Sequence, residues 1–234
     1  LRECLACGLL CNDSRLTQKQ SQWEIDGDPT EGALIVAAMK AGLDVDSLGR
    51  THPREDEIPF DSARQYMATL HATAHADHRF IYMKGSVEAV LSRCSAALNA
   101  RGDSVELDRA QLLQAATELA AGGLRVLAFA KSSPLQSKQG IDQAEAADGF
   151  LFLGLQAMMD PPRESSSRAV QTCRRAGIAV KMITGDHALT AETVARHIHI
   201  IDRPADAKGF ALTGAELAAM TDEQLTEAAE NTAV

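Results

Sequence analysis

The chain has 234 residues, 45% of them hydrophobic and 24% charged, with a formal net charge of -9 and a pI near 5.2. This is the composition of a folded globular protein rather than a disordered chain, and the length suits one large domain or two modest ones. The acidic balance excludes a sequence-independent grip on nucleic acid, which needs clustered Lys and Arg, and the best apolar stretch, residues 150–159, is broken by Gly154 and Gln156 and falls well short of the roughly 20 residues that span a bilayer.

In chain order, residues 1–10 lack the basic start and sustained apolar run of a signal peptide and read as a helix in which Cys4, Cys7 and Cys11 lie among Leu1, Leu5, Leu9 and Leu10. Cys4-x-x-Cys7 could be half a zinc or redox site. No second such pair follows, and five cysteines is an odd number, so core thiols in a reducing compartment are expected. Asp28-Pro29-Thr30-Glu31 supplies an N-cap, a proline at the first helical position and an acid at N3, opening a helix that stops at Gly42. Residues 66–74 and 79–83 read as an antiparallel hairpin. A helix is expected over 87–98 and another over 109–121, the latter ending at Gly122-Gly123 and feeding a strand over 124–130. Residues 132–148 read as a loop.

From Phe150 the pattern changes to apolar strand, helix 164–176, apolar strand 178–183 and helix 189–199, an alternation that implies parallel strands joined by a right-handed crossover. Asp160-Pro161-Pro162-Arg163 stiffens the chain between the two patterns. The boundary is placed there, giving domains of residues 1–159 and 160–234. Residues 221–230 read as a solvated acidic helix.

Met182-Ile183-Thr184-Gly185-Asp186 places an apolar strand directly before a helix, and ligands of open α/β sheets bind outside such strand ends. A threonine hydroxyl and free amides at a helix start suit a phosphoryl group. On this segment alone, Asp186 serves equally well as a plain N-cap.

Order decides more than any one segment. Cys11-Asn12-Asp13, residues 27–34 (GDPTEGAL), residues 58–62 (IPFDS), Lys84-Gly85, residues 123–128 (GLRVLA), then DPPR and the MITGD segment follow one another as in the P-type cation-transporting ATPases, which this chain resembles over nearly its whole length. The resemblance implies an α/β fold. Its first part is an α+β nucleotide-binding domain with a twisted antiparallel sheet and flanking helices, and its second is part of a haloacid-dehalogenase-like phosphorylation domain with parallel strands. By the same resemblance Phe60 stacks on adenine, Glu31 lies near it, Lys84 lines the pocket, and Arg64 and Arg125 reach the phosphates. Asp160 and Arg163 of the DPPR hinge join the nucleotide-binding set, while Thr184 and Asp186 face the transferred phosphoryl and the nucleotide. On residue chemistry alone, Phe60 after Ile58 also reads as a core residue and Lys84 as a solvated strand-end lysine, and Glu31 is also the N3 member of a capping box.

The chain departs from the family pattern at Gln65, where a lysine is common, and at Ser86-Val87, where Lys-Gly-Ala-Pro-Glu is usual. The segment holding the phosphorylated aspartate, Asp-Lys-Thr-Gly-Thr, and the Gly-Asp-Gly segment that completes the magnesium site are both missing from these 234 residues. Family order places one before Leu1 and the other after Val234. The piece is therefore expected to bind ATP without hydrolysing it, as a cytoplasmic loop of an integral membrane protein. Its partners would be the rest of the phosphorylation domain, the actuator domain and the transmembrane helices of the pump. It would neither bind nucleic acid nor enter the membrane, and magnesium would act only in the parent. A free-standing phosphohydrolase and a regulatory module without nucleotide binding are the rival readings. Among transported ions the motif style points to the calcium, sodium or proton branches, with calcium favoured by similarity. Two decoys are set aside: Asp44-Val45-Asp46-Ser47 follows a helix rather than a strand, and His71, His75 and His78 lie in a hairpin, where solvated histidines are expected rather than a zinc site.

Overall fold

In the computed structural model the first element is a helix, α1 (Arg2–Leu10), buried nearly all round at Cys4, Leu5, Ala6, Cys7, Gly8 and Leu9, as befits a core helix. The structure describes residues 1–19, 22–73, 78–136, 140–142, 144, 146–159, 164–184, 188–202 and 211–233. Two compact units account for the chain: Leu1–Ala116 with Val126–Met158, and Thr117–Arg125 with Met159–Val234.

The first unit continues through the hairpin β1 (Arg15–Lys19) and β2 (Gln22–Asp26), helices α2 (Pro29–Lys40) and α3 (Val45–Thr51), and strands β3 (Arg54–Asp61), β4 (Tyr66–Ala72) and β5 (His78–Gly85). After α4 (Val87–Leu91) come β6 (Cys94–Leu98), β7 (Ser104–Val105), α5 (Arg109–Ala121), β8 (Arg125–Lys131), β9 (Leu135–Gln136) and β10 (Phe150–Met158). The main sheet runs β3-β4-β5-β8-β10-β6-β7, with β9 paired to β5. The β3–β4, β4–β5 and β5–β8 pairings are antiparallel, whereas β10 and β6 are parallel, so the sheet is mixed.

Alternation along β5 builds the two layers. Ile81 and Met83 face one core with Ile58, Val90 and Phe150, and Phe80 and Tyr82 face another with Cys4, Cys7, Leu34 and Phe129. A third cluster, Leu5, Leu9, Ile35, Ala38 and Leu43, joins α1 to α2, with Val45 and Leu48 of α3 packed against it. Helix α1 is also fastened by polar contacts. The Tyr82 hydroxyl donates to Glu3 Oε1 at 2.8 Å and Lys131 pairs with the same oxygen at 2.5 Å. Burial raises the Glu3 carboxyl, but Lys131 and Tyr82 outweigh it and leave it below its ordinary value. Four thiols, Cys4, Cys7, Cys11 and Cys94, are core groups as expected, while Cys173 is half-buried; all five are free, and burial pushes Cys4 up to about 11 and Cys94 up to about 12.

Three sequence expectations need correction. The helix starting at Val87 ends at Leu91, and the next residues form β6, because Cys94 and Ala96 find ladder partners in Phe150 and Leu151 of β10 and tertiary pairing overrides a modest alanine preference. His71 is a core histidine, 1% exposed. Its Nδ1 lies 3.0 Å from the His52 carbonyl oxygen and its Nε2 2.8 Å from the Thr69 hydroxyl, and burial lowers it to about 4. His75 lies outside the described residues. Asp44 caps α3 by accepting from Ser47 N–H, in keeping with its being a decoy.

The third correction concerns the second unit, which holds α6 (Glu164–Arg175), α7 (Ala188–His197), α8 (Gly214–Ala218) and α9 (Asp222–Asn231). The expected parallel strand over 178–183 is not formed: Ile178 N–H bonds back to Cys173 and Met182 N–H to the Ala233 carbonyl. A strand needs a neighbouring strand to receive its N–H and C=O groups, and among the described residues no strand lies beside this segment. Both terminal helices carry capping boxes, Thr213 with Glu216 and Thr221 with Gln224.

Candidate functional site

The residues singled out from sequence in the first unit gather where α2, β3 and β5 meet the turn after α1. Asp28 starts α2 by accepting from the N–H groups of Thr30 (2.7 Å) and Glu31 (3.3 Å). Glu31 does not complete a capping box. Its Oε2 instead accepts from the N–H of Asp13 (3.0 Å), the N–H of Ser14 (3.0 Å) and the Ser14 hydroxyl (3.1 Å), and its Oε1 pairs with the Lys84 ammonium.

Lys84 is 6% exposed, so it is not a solvated strand-end residue. Its cross-strand neighbours are Met67 on β4 and Phe129 on β8, and the Cys11 thiol donates to the Met67 carbonyl at 3.7 Å. A cation in such surroundings is held only by a partner. Glu31 provides it.

Phe60 sits on the edge strand. Ile58 pairs with Ala68 and Asp61 with Tyr66, so Pro59 and Phe60 stand opposite the single residue Met67, a bulge that re-aims the ring and gives proline a tolerated strand position. The ring is 61% exposed and is not a core residue. Across the sheet, the bulge, Met67 and Lys84 occupy one row, two strand spacings or about 10 Å wide at the backbone.

The turn after Phe60 is rigidly held. Asp61 Oδ1 accepts from Ala63 N–H at 2.7 Å, a bond that, together with the nearby Arg64, keeps its carboxyl below the ordinary range. Arg64 folds back on the turn, donating to Pro59 O at 3.3 Å and lying 3.6 Å from Asp61. Gln65 has a left-handed backbone, φ 60°, and its carbonyl accepts from Ser86 N–H at 2.9 Å. A Cβ on Gly85 would meet that carbonyl at 2.4 Å. The glycine after Lys84 is what lets the turn close on β5. Gln65 Oε1 also accepts from the Ser86 hydroxyl at 3.2 Å, so two of the departures from the family pattern touch one another.

The remaining sequence-nominated residues are placed separately. Arg125 opens β8 and is exposed, and Thr184 is exposed at the end of the 178–184 segment of the second unit. Asp160, Arg163 and Asp186 lie outside the described residues. Sequence reasoning missed the supports of Glu31: Asn12, Ser14 and, through Asp13, Arg54, whose Nη1 is 2.7 Å from Asp13 Oδ1. Their only trace is the Cys11-Asn12-Asp13 motif, because Glu31 lies 17 positions from Ser14 and no periodicity links the two.

A family model for the P-type ATPase cytoplasmic domain N matches residues 1–165. The chain belongs to this family. Similarity extends over the full length to a cation-transporting ATPase of Synechocystis sp., 47% identical over 234 residues, all of this chain and 25% of the relative. A sodium/potassium exporting P-type ATPase of Schizosaccharomyces pombe is 36% identical over 225 residues, 92% of this chain and 21% of the relative. A calcium-transporting ATPase of Listeria monocytogenes is 35% identical over 236 residues, covering 100% and 26%. The chain thus spans about a quarter of the length of these curated relatives. Among the described residues of this P-type ATPase N-domain chain, no helix is long and apolar enough to cross a membrane.

Proposed function

We propose that the first unit binds ATP at the row formed by Phe60 and the Lys84–Glu31 pair. The observation carrying this reading is the combination of an unburied aromatic on a bulge, 61% exposed, with a buried lysine, 6% exposed, on the same sheet row. A flat, polarisable ring that the core does not use can stack on a base. A buried ammonium paired with a carboxylate can answer a phosphate or a purine acceptor. Arg64 extends the positive side, and Arg125 is assigned to the phosphates by its place after Gly123-Leu124.

In the longer protein, ATP held here would phosphorylate an aspartate outside these residues. That aspartyl-phosphate would couple ATP hydrolysis to cation transport across a membrane, with this chain on the cytoplasmic side and the remaining phosphorylation domain, the actuator domain and the membrane helices as partners. Residues 160–234 are read as part of the haloacid-dehalogenase-like phosphorylation domain, with Thr184 and Asp186 toward the transferred group and Asp160 and Arg163 at the hinge. Relatives named for calcium and for sodium/potassium are both consistent with the cation branches; calcium is kept as the first ion to test. Magnesium would act only in the longer protein, its site being incomplete in these residues; among those described, no group of three or more His, Cys, Asp or Glu could hold a metal ion. The chain alone is expected to bind ATP without turnover.

The test is a calorimetric or NMR titration of the 234-residue chain with ATP, with and without magnesium, beside Phe60→Ala. Binding near the millimolar range, about −4 kcal/mol, independent of magnesium and lost in the variant, is the expected result. A folded chain that ignores ATP would favour a regulatory module, and turnover by the chain alone would favour a phosphohydrolase.

A further inference from the structure

We infer that Gln65, through its bonds to Ser86, is a positioning residue that holds the Phe60 ring ready for a base, an inference that rests on the nucleotide-binding reading above. Phe60 is 61% exposed, so little packing fixes its ring, and its direction is set by the backbone on either side. Both sides are held from the 61–65 turn. Arg64 donates to the Pro59 carbonyl at 3.3 Å, and the Asp61 carbonyl accepts from the N–H groups of Arg64 at 3.1 Å and Gln65 at 2.7 Å. Whatever holds the turn therefore holds the ring, and a ring ordered before the ligand arrives lowers the entropic cost of binding.

Gln65 is the point where the turn is fastened. Its left-handed backbone, φ 60°, is unfavourable for a residue with a Cβ and is kept here by two bonds to one partner. Ser86 N–H donates to the Gln65 carbonyl at 2.9 Å, and the Ser86 hydroxyl donates to Gln65 Oε1 at 3.2 Å. The same hydroxyl oxygen accepts from Ala89 N–H at 3.2 Å and so caps α4. This short helix is a firm anchor, with Val87, Ala89, Val90 and Leu91 all buried. Next to Gln65, the Tyr66 ring carries the Arg93 guanidinium 4.3 Å from its centroid, and Arg93 in turn donates to the Ala89 carbonyl at 2.6 Å. Gln65 and Ser86 both stand where the chain departs from the family pattern. Alanine at 86 has no proton to donate and lysine at 65 has no acceptor, so neither departure makes this side-chain bond without the other.

The experiment measures AMP, ADP and ATP affinity for the 234-residue chain and for Gln65→Ala, Gln65→Asn, Ser86→Ala, Ser86→Thr and the double alanine variant, with a thermal melt of each. Gln65 is exposed, so its replacement opens no core, and the melting temperature of Gln65→Ala is expected to move by about 2 °C at most. Gln65→Ala is expected to weaken all three nucleotides alike, by about threefold, because the ring meets the base and not the phosphates. Gln65→Asn favours the left-handed backbone but is one methylene too short to reach Ser86, and should lose as much. Ser86→Thr keeps the hydroxyl and should bind as wild type does, and the double variant should be no weaker than the weaker single. A loss growing from AMP to ATP would assign Gln65 to the phosphates instead. That outcome, unchanged affinity in Gln65→Ala, wild-type affinity in Gln65→Asn, or additive losses in the double variant would each overturn the positioning role. Phe60→Ala run alongside separates the two levels: Phe60-dependent binding with any of those outcomes overturns the role of Gln65 alone, whereas no Phe60-dependent binding overturns the site reading as well.

Discussion

Two isoleucines of the same size meet opposite fates in the two units: Ile81 on β5 is 0% exposed and Ile183 in the second unit is 99% exposed. Both lie in short apolar runs that read as strands. β5 has β4 on one side and β8 on the other, so its backbone groups are paired and its side chains enter two cores. The 178–183 run has no such neighbours among the described residues, and an apolar run alone does not make a strand. The second unit buries Val170, Ala191, Ala195, Ile198 and Ile201 but leaves Ile178, Leu217 and Leu225 exposed. The difference shows that burial is granted by neighbours rather than by the run itself.

Substitutions can break or sharpen this contrast. The largest effect is expected at Glu31→Ala, which strands the buried Lys84 ammonium: a loss of about 3–5 kcal/mol in urea unfolding, compared with far less for Glu31→Gln, which keeps an acceptor. Ile81→Ala is expected to cost about 2–5 kcal/mol.

Acid should weaken the first unit through His71. Its folded value near 4 lies below the ordinary 6.5, so the unfolded chain binds the extra proton. The neutral ring therefore contributes its full stability above about pH 6.5, and this contribution is lost as pH falls toward 4. The total is on the order of a few kcal/mol. Urea midpoints between pH 7.5 and 4 should fall more for wild type than for His71→Gln. A smaller loss, about 1–3 kcal/mol, is expected for Gly85→Ala, which pushes the Gln65 turn off β5. Smallest of all, Ile183→Ala should shift stability by no more than about 0.5 kcal/mol; a cost matching that of Ile81→Ala would contradict the contrast.

What could be read from sequence was what is decided locally. The start of α2 follows from Asp28 and Pro29, the end of α5 from Gly122-Gly123, and the β4–β5 hairpin from two β-prone runs a few residues apart. What could not be read depends on distant partners. Cys94 and Ala96 become strand only because Phe150 and Leu151 lie beside them, and His71 is buried by packing against Phe80 and Tyr82 rather than by anything in its own segment. Motif order named Glu31, Phe60 and Lys84. It did not reveal that Glu31 and Lys84, 53 positions apart, form one buried pair, nor that Asn12 and Ser14 brace it. Asp160, Arg163 and Asp186 fall outside the described residues, so their roles rest on the resemblance alone.

The most direct test of the central claim is the map of backbone amide shifts in 15N-labelled chain as ATP is added. The perturbed amides are expected to cluster at residues 13–14, 31, 60–65 and 84–86, one row of the first unit, with the same map absent in Phe60→Ala. Perturbations confined to other faces of the sheet, or none in a folded chain, would contradict it.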